Sequence, residues 1–237
     1  MLPERRLEEL DLLQDRLGYR FNDVELLNKA LTHKSYTHEN KEQFRHNERF
    51  EFLGDSVLDL IVSDFMVRRY SEYNEGVLSK IRAAVVNETS LAGFAREIDL
   101  GRFLLLGRGE ENTGGRDKSS LLANAFEALA GAIFFDGQLE PVRRALFPFL
   151  KKEIERNDGA AFFRDFKSDL QEYTQNKLNC VPVYKVVGES GPDHDKLFEV
   201  AVWVKKNLQG KGVGKTKKEA EQSAAMMALE SFRTTES

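Results

Sequence analysis

The chain has 237 residues, 41% of them hydrophobic and 31% charged, and a formal net charge of −4. That is the composition of an ordinary globular protein of one large or two smaller domains, and it excludes a collagen-like, low-complexity or disulfide-stapled chain. A single cysteine, Cys180, leaves no internal disulfide and no cysteine metal cluster, and no run approaches the ~20 apolar residues that span a bilayer.

Taken in order, residues 3–17 carry Leu7, Leu10, Leu12, Leu13 and Leu17 near helical spacing. This stretch is charged throughout, without the apolar core or small-residue cleavage site of a signal peptide, so a cytoplasmic location is expected. Asn22-Asp23 starts a second helix through Val24, Leu26, Leu27, Ala30 and Leu31, and a polar loop is expected from Thr37 to Arg45. A long helix over roughly 47–70 follows. In it Glu48, Glu51 and Asp55 stand in apolar company, and at about 100° per residue the three carboxylates share an arc of roughly 60°. Like charges along one stripe repel each other unless a cation sits among them. Acidic residues also collect at helix N-termini, where the macrodipole favours them, so a solvated acidic face is the competing reading. The large apolar neighbours favour a metal site, as does Gly54, which costs ~1 kcal/mol relative to Ala in mid-helix. A glycine there marks the close approach of another backbone or of a metal-bound ligand.

After residues 70–76 another helix runs through Leu78, Ile81, Ala84 and Val85, and a further one extends from Thr89 to the Gly101 region. Residues 107–118, rich in Gly and charge, read as a mobile loop. Residues 119–135 are apolar on every face, the pattern of a buried helix, yet they hold Asn124 and Glu127, three apart and therefore neighbours. A buried Glu without a partner costs several kcal/mol or shifts its pKa until it is neutral. One reading is a protonated or salt-bridged core Glu beside a hydrogen-bonded Asn. The favoured reading is a second set of metal-site groups facing the first helix, with Ala123, Ala125, Ala128, Ala130, Gly131 and Ala132 letting the two helices pack closely. A charged helix at 139–156 closes an all-helical half.

The character then changes. A helix over 166–179, strands at 183–187, 197–204 and 208–213, and a closing helix from Lys217 to Phe232 make a small α-β-β-β-α module. Charge divides with it: residues 164–237 hold 12 Lys and Arg against 11 Asp and Glu, whereas residues 1–163 hold 23 against 28. The acidity lies in the half where bound cations would offset it.

The stretch Asn47-Glu48-Arg49-Phe50-Glu51-Phe52-Leu53-Gly54-Asp55-Ser56 resembles the signature of the ribonuclease III family, with Phe50 where Leu is usual. Gly210-Lys211-Gly212-Val213-Gly214-Lys215-Thr216-Lys217-Lys218-Glu219-Ala220-Glu221 resembles that family's double-stranded RNA-binding domain. The resemblance covers nearly the whole chain in the order of the bacterial enzymes. It implies an all-α endonuclease domain (1–156), a linker (157–163) and a small α+β double-stranded RNA-binding domain (164–234). It further implies a magnesium-dependent endoribonuclease that hydrolyses double-stranded RNA to 5′-phosphate and 3′-hydroxyl ends, in the processing of ribosomal and other structured RNA. A homodimer with two equivalent sites is implied, with no membrane and no nucleotide cofactor.

By the same resemblance, Glu51, Asp55 and Glu127 are metal ligands or partners of metal-bound water, and Asn124 belongs to the metal set. The catalytic assignment covers Asp55 and Glu127, with Glu48 and Glu75 in support. The family usually has Asp where this chain has Asn124, whose neutral carbonyl oxygen can still ligate magnesium but gives up one negative charge; activity is expected to persist. In the second module the resemblance assigns Gln171 and Glu172 to one minor groove of the duplex and His194 to the next, with Lys215, Lys217 and Lys218 on the phosphates between. Taken alone, a Lys run is equally a solvated face, and Asp193 and Asp195 are unfavourable near phosphates. The competing function is a non-catalytic RNA-binding protein whose helical half survives as a dimerising scaffold. Phe50, Phe52, Phe65, Phe134 and Phe135 fit either a dimer face or a monomer core.

Overall fold

A computed structural model describes residues 2–40, 46–157, 165–192 and 196–235 of the chain. These fall into two compact units, residues 1–163 and 164–237. Residues 158–163 of the expected linker, and His194, lie outside the described residues.

The first unit is helical. In α1 (Glu4–Leu17), Leu10, Leu13 and Leu17 are buried along one face, and the helix stops at Gly18, whose φ of 62° makes the left-handed turn. The Asp23 carboxylate starts α2 (Val24–Ala30) by accepting from the Glu25 N–H at 3.0 Å. The expected polar loop is in part a helix, α3 (Lys34–Glu39), capped by His33, whose Nδ1 accepts from the Ser35 N–H at 3.3 Å. Residues 41–45 of that loop lie outside the described residues. Then come α4 (Glu48–Arg69), α5 (Glu75–Val85) and α6 (Glu88–Glu97), the last two begun by Asn74 and Asn87, whose side chains accept from Val77 and Ser90 N–H groups at 3.0 Å.

Residues 107–118 are not the unstructured loop that their composition suggests. They form a short helix, α7 (Arg108–Asn112), and a 3₁₀ turn, Gly115–Asp117. The Arg116 guanidinium replaces apolar packing: Nη1 donates to the carbonyls of Gly101, Arg102 and Leu104 at 2.9, 3.1 and 2.9 Å, while Nε and Nη2 pair with Glu111. Such a network leaves no hydrophobic period for sequence reasoning to find. The unit closes with α8 (Ser119–Gly137) and α9 (Leu139–Asn157).

Among these helices α4 and α8 pack most extensively against each other, and they do so main chain to main chain. A Cβ on Gly54 would overlap the Glu127 carbonyl and lie 2.9 Å from the Gly131 nitrogen; one on Gly131 would overlap the Phe50 carbonyl and lie 3.1 Å from the Gly54 nitrogen. Leu58, Ile61, Val62, Leu122, Ala125, Phe126 and Leu129 of the same two helices are buried in the core.

The second unit has α10 (Phe166–Leu178), an antiparallel sheet in the order β1 (Val183–Ser190), β2 (Leu197–Val204), β3 (Asn207–Gly214), and α11 (Lys217–Thr235). The first strand runs three residues further than the expected 183–187, through an irregularity in its pairing between Val186 and Gly188. Gly210, Gly212 and Gly214 of β3 lie directly against the backbone of Ala220, Ala224 and Ala228 in α11. The core beneath is Leu170, Val200 and Val202 with the alanines of α11.

An alanine at a helical glycine normally gains ~1 kcal/mol, so the sign of a substitution tests the packing. Gly54→Ala is expected instead to lower the unfolding free energy of the protein by about 3 kcal/mol, measured by urea denaturation. A gain in stability would contradict the backbone contact.

Candidate metal centre and nucleic-acid interface

With Gly54 against the Glu127 carbonyl, its neighbours on α4 stand beside α8. The charges of Asp55, Glu51 and Asp59 all act on Glu127, and the Asn124 side chain favours the ionised form of Glu51. An amide favours a carboxylate only by turning its NH2 group toward it, which leaves its carbonyl oxygen available. Burial, reinforced by Asp55, Glu51 and Asp59, pushes the Glu127 carboxyl up to about 7. Glu51 is raised too, by burial and then by the charge of Glu48.

The two ends of the stripe carry their own cations. Lys34 Nζ lies 3.1 Å from Glu48 and holds its carboxyl below the usual range; His46 Nδ1 is 3.7 Å away. At the other end Arg82 Nε is 3.5 Å from Asp59, whose carboxyl is nevertheless raised, by burial first and by Asp55. Between them Glu51, Asp55 and Glu127 have no ion-pair partner among the described residues. Glu75 is not among the carboxylates whose charge shifts Glu127; it occupies the first turn of α5 and accepts from Ser79 Oγ at 2.8 Å. Asp59 escaped the sequence reading although it stands four residues after Asp55, the next position along the same stripe.

Among the described residues, no three His, Cys, Asp or Glu side chains close into a ready-made metal cage. Magnesium does not require one. It takes one or two carboxylates, keeps several waters and accepts only oxygen donors, and the donor set here is all oxygen. The unpaired, partly buried negative charge in the middle of the stripe fits a divalent cation.

In the second unit Gln171 and Glu172 are exposed on the first turns of α10, and Lys215, Lys217 and Lys218 are exposed where β3 passes into α11. That junction is braced: the Glu219 carboxylate accepts from the Lys215 N–H at 2.9 Å and Thr216 Oγ1 accepts from the Glu219 N–H at 3.1 Å, in the manner of a capping box. Lys196, which the sequence reading did not single out, lies with Lys217 on the Phe198 ring, their Nζ atoms 5.8 and 5.6 Å from its centroid. Lys196 also pairs with Glu189 at 2.6 Å, so Glu189 offsets part of the positive charge that this surface presents.

Residues 23–154 match the family described as Ribonuclease-III-like, and residues 166–231 match the double-stranded RNA binding motif. Ribonuclease 3 of Nitratiruptor sp. is 44% identical over 223 residues, spanning 94% of this chain and 96% of the relative. Ribonuclease 3 of Wolinella succinogenes is 46% identical over 230 residues, 97% and 94%, and that of Caldanaerobacter subterraneus 47% over 220 residues, 93% and 96%. Among solved structures, the nuclease domain of ribonuclease III from Campylobacter jejuni, described for flexibility in a region involved in dimer formation, superposes with a TM-score of 0.57 at 42% identity. It covers 61% of this chain and 97% of that one.

The raised Glu127 carboxyl carries a pH signature. In chelator, the folded chain holds this proton up to about pH 7 whereas the unfolded chain releases it near 4.5. The folded state therefore binds more protons in that window, and stability falls as pH rises through it. After allowance for solvent screening at a half-open site, about 1–2 kcal/mol is expected to be lost. The readout is Tm against pH for wild type minus Glu127→Gln, which separates this group from His33, whose burial lowers its pKa and tilts stability the other way. Parallel curves for the two proteins would contradict the shift.

Proposed function

We propose that this chain, which belongs to the ribonuclease III family and is an endoribonuclease, hydrolyses double-stranded RNA with magnesium and leaves 5′-phosphate and 3′-hydroxyl ends. The observation that carries the metal reading is the acidic stripe whose ends are neutralised by Lys34 and Arg82 and whose middle is not. Glu51, Asp55 and Glu127, with the Asn124 carbonyl oxygen, would hold the ion. When bound, magnesium supplies an activated water and offsets the charge that builds on the phosphoryl and leaving oxygens. Glu127 would hold the ion in its ionised form, and Lys34 keeps Glu48 ionised beside Glu51. Glu48 and Glu75 act in support, from the first turns of α4 and α5. Asn124 favours the ionised form of Glu51, which Asp in its place would oppose.

The substrate reading rests on the second unit. Duplex RNA is read by shape, across shallow minor grooves and the phosphates between them. Gln171 and Glu172 serve one minor groove, His194 the next, and Lys215, Lys217 and Lys218 the phosphates, favoured by the N-terminal end of α11. Processing of ribosomal and other structured RNA in the cytoplasm completes the proposal; among the described residues no helix is long and apolar enough to cross a membrane.

A second copy of the chain is the proposed partner of the first unit. Phe50, Phe65 and Phe134 are taken up by the core, Phe65 against Phe147 at 4.9 Å. Phe52 of α4 is 79% exposed, Phe135 of α8 63%, and Leu60 and Val67 lie exposed on the flank of α4 that carries Phe52. A dimer through this apolar face would set two equivalent sites on opposite strands.

The test is a long RNA duplex incubated with and without magnesium and run on a gel. Cleavage is expected only with magnesium, and Glu127→Gln is expected to slow it about 100-fold or more while leaving duplex binding intact. Lys217→Ala with Lys218→Ala is expected to weaken binding evenly across sequences and reduce its salt slope by about 2. Cleavage that is absent in the wild type and restored by Asn124→Asp would establish the non-catalytic RNA-binding protein instead.

A further inference from the structure

The sheet of the second unit has one covered face and one open face. Val200 and Val202 of β2 lie in the core beneath α11, so Trp203, which alternates with them, lies on the face turned away from that helix. Trp203 pairs with Val183 of β1 on one side and Leu208 of β3 on the other, and these two are each 51% exposed. The next row is Lys185, Ala201 and Lys211. Lys211 pairs with Glu199 at 3.2 Å. Lys185 instead lies with its Nζ 5.7 Å from the centroid of the Trp203 ring, without an ion-pair partner among the described residues. Beyond Trp203 the hairpin turns through two residues, Lys205 and Lys206, between the paired Val204 and Asn207. Both have positive φ, 48° and 69°, as a type I′ turn requires; Asn-Gly meets that requirement at least cost, and two lysines meet it with strain. The strained turn holds both lysines exposed at the tip, again without ion-pair partners among the described residues.

We propose that this open face binds single-stranded RNA, a base stacking on Trp203 and the flanking phosphates meeting Lys185, Lys205 and Lys206. An aromatic ring with apolar neighbours and a border of ammonium groups is complementary to a chain that offers flat faces and regularly spaced negative charge. A nucleotide serves the ring and Lys185 together, whereas an acidic peptide brings charge without a plane. A duplex keeps its base faces stacked inside, so only unpaired nucleotides can make the contact. The surface is separate from the one assigned to the duplex. Lys215, Lys217 and Lys218 follow the far end of β3, about 23 Å from its start by the strand rise, and α11 packs on the opposite face of the sheet. The open face therefore stands whether or not the duplex assignment does.

Trp203 is the only tryptophan of the chain, so its emission in the full-length protein reads the site directly. The probes are a short oligoadenylate, polyglutamate and a blunt-ended RNA duplex, each in chelator so that nothing is cut. Oligoadenylate is expected to quench the emission, in wild type and equally in Lys217→Ala with Lys218→Ala, while polyglutamate and the duplex leave it unchanged. Lys205→Asn with Lys206→Gly relaxes the turn as it removes both charges. That variant is expected to melt at a higher temperature than wild type, yet to bind oligoadenylate about tenfold more weakly and with a salt slope smaller by about 1.4. Emission unmoved by oligoadenylate overturns the proposal, as does equal quenching by polyglutamate or by the duplex. Quenching lost in Lys217→Ala with Lys218→Ala would place the binding on the duplex surface and overturn it too, and so would undiminished binding to the folded Lys205→Asn, Lys206→Gly protein. The wild-type titration with the three probes decides the matter even if a variant does not fold.

Discussion

Two glycines let α4 and α8 meet backbone to backbone, Gly54 on the Glu127 carbonyl and Gly131 on that of Phe50. No side chain stands between the helices at this crossing, so their separation is set by main-chain van der Waals radii rather than by a packed residue that could adjust. The acidic side chains one turn to either side inherit that separation. A helix pair held apart by leucines would leave Glu51 and Asp55 in solvent and Glu127 in a core of its own. Pressed together, they are shut away from water and repel each other, and burial first, then that repulsion, raises the Glu127 carboxyl. The first unit thus stores unfavourable charge at the place where a divalent cation would relieve it.

The placement of cations around the stripe follows the same logic. Lys34 arrives from α3 and Arg82 from α5, each pairing with a terminal carboxylate, while among the described residues the central ones have no ion-pair partner. Had either reached the centre, the site would be a structural ion pair with no call for a metal. Asn124 belongs to this balance, because its neutral amide favours the ionised Glu51 where an acid would add a further repulsion. One negative charge fewer weakens the pull on a cation and also lessens the strain on the metal-free protein. In the second unit the packing device is repeated with a different element. Glycines of β3 lie on the alanine face of α11, which brings the helix close to the sheet and fixes where the lysines at its first turn emerge.

Much of this could be read before any coordinates. Periodicity placed α1, α2, α4, α8 and α11 to within a few residues, and a glycine in mid-helix pointed to a close backbone approach, because its cost demands a reason. The acidic stripe was visible for the same geometric cause. What stayed hidden was whatever depends on partners distant in sequence. Arg116 orders residues 107–118 through carbonyls of Gly101, Arg102 and Leu104, and nothing in a glycine-rich, charged segment announces that. The relation of Glu75 to the other acids could not be read from its spacing, since it lies on another helix. Asp59 was legible and overlooked: the period that selected Asp55 selects it as well. That Arg6 is buried was beyond reach, because charged residues near the N-terminus ordinarily lie in solvent.

The central claim is that the contact between α4 and α8 builds a cation site from their facing oxygens. Crystals soaked in manganese, a divalent ion with the same preference for oxygen donors, test it through the anomalous signal of the ion. The account predicts a peak among Glu51, Asp55, Asn124 and Glu127, lost in Glu127→Gln. A peak elsewhere on the first unit, with those four side chains unoccupied at saturating manganese, would contradict it.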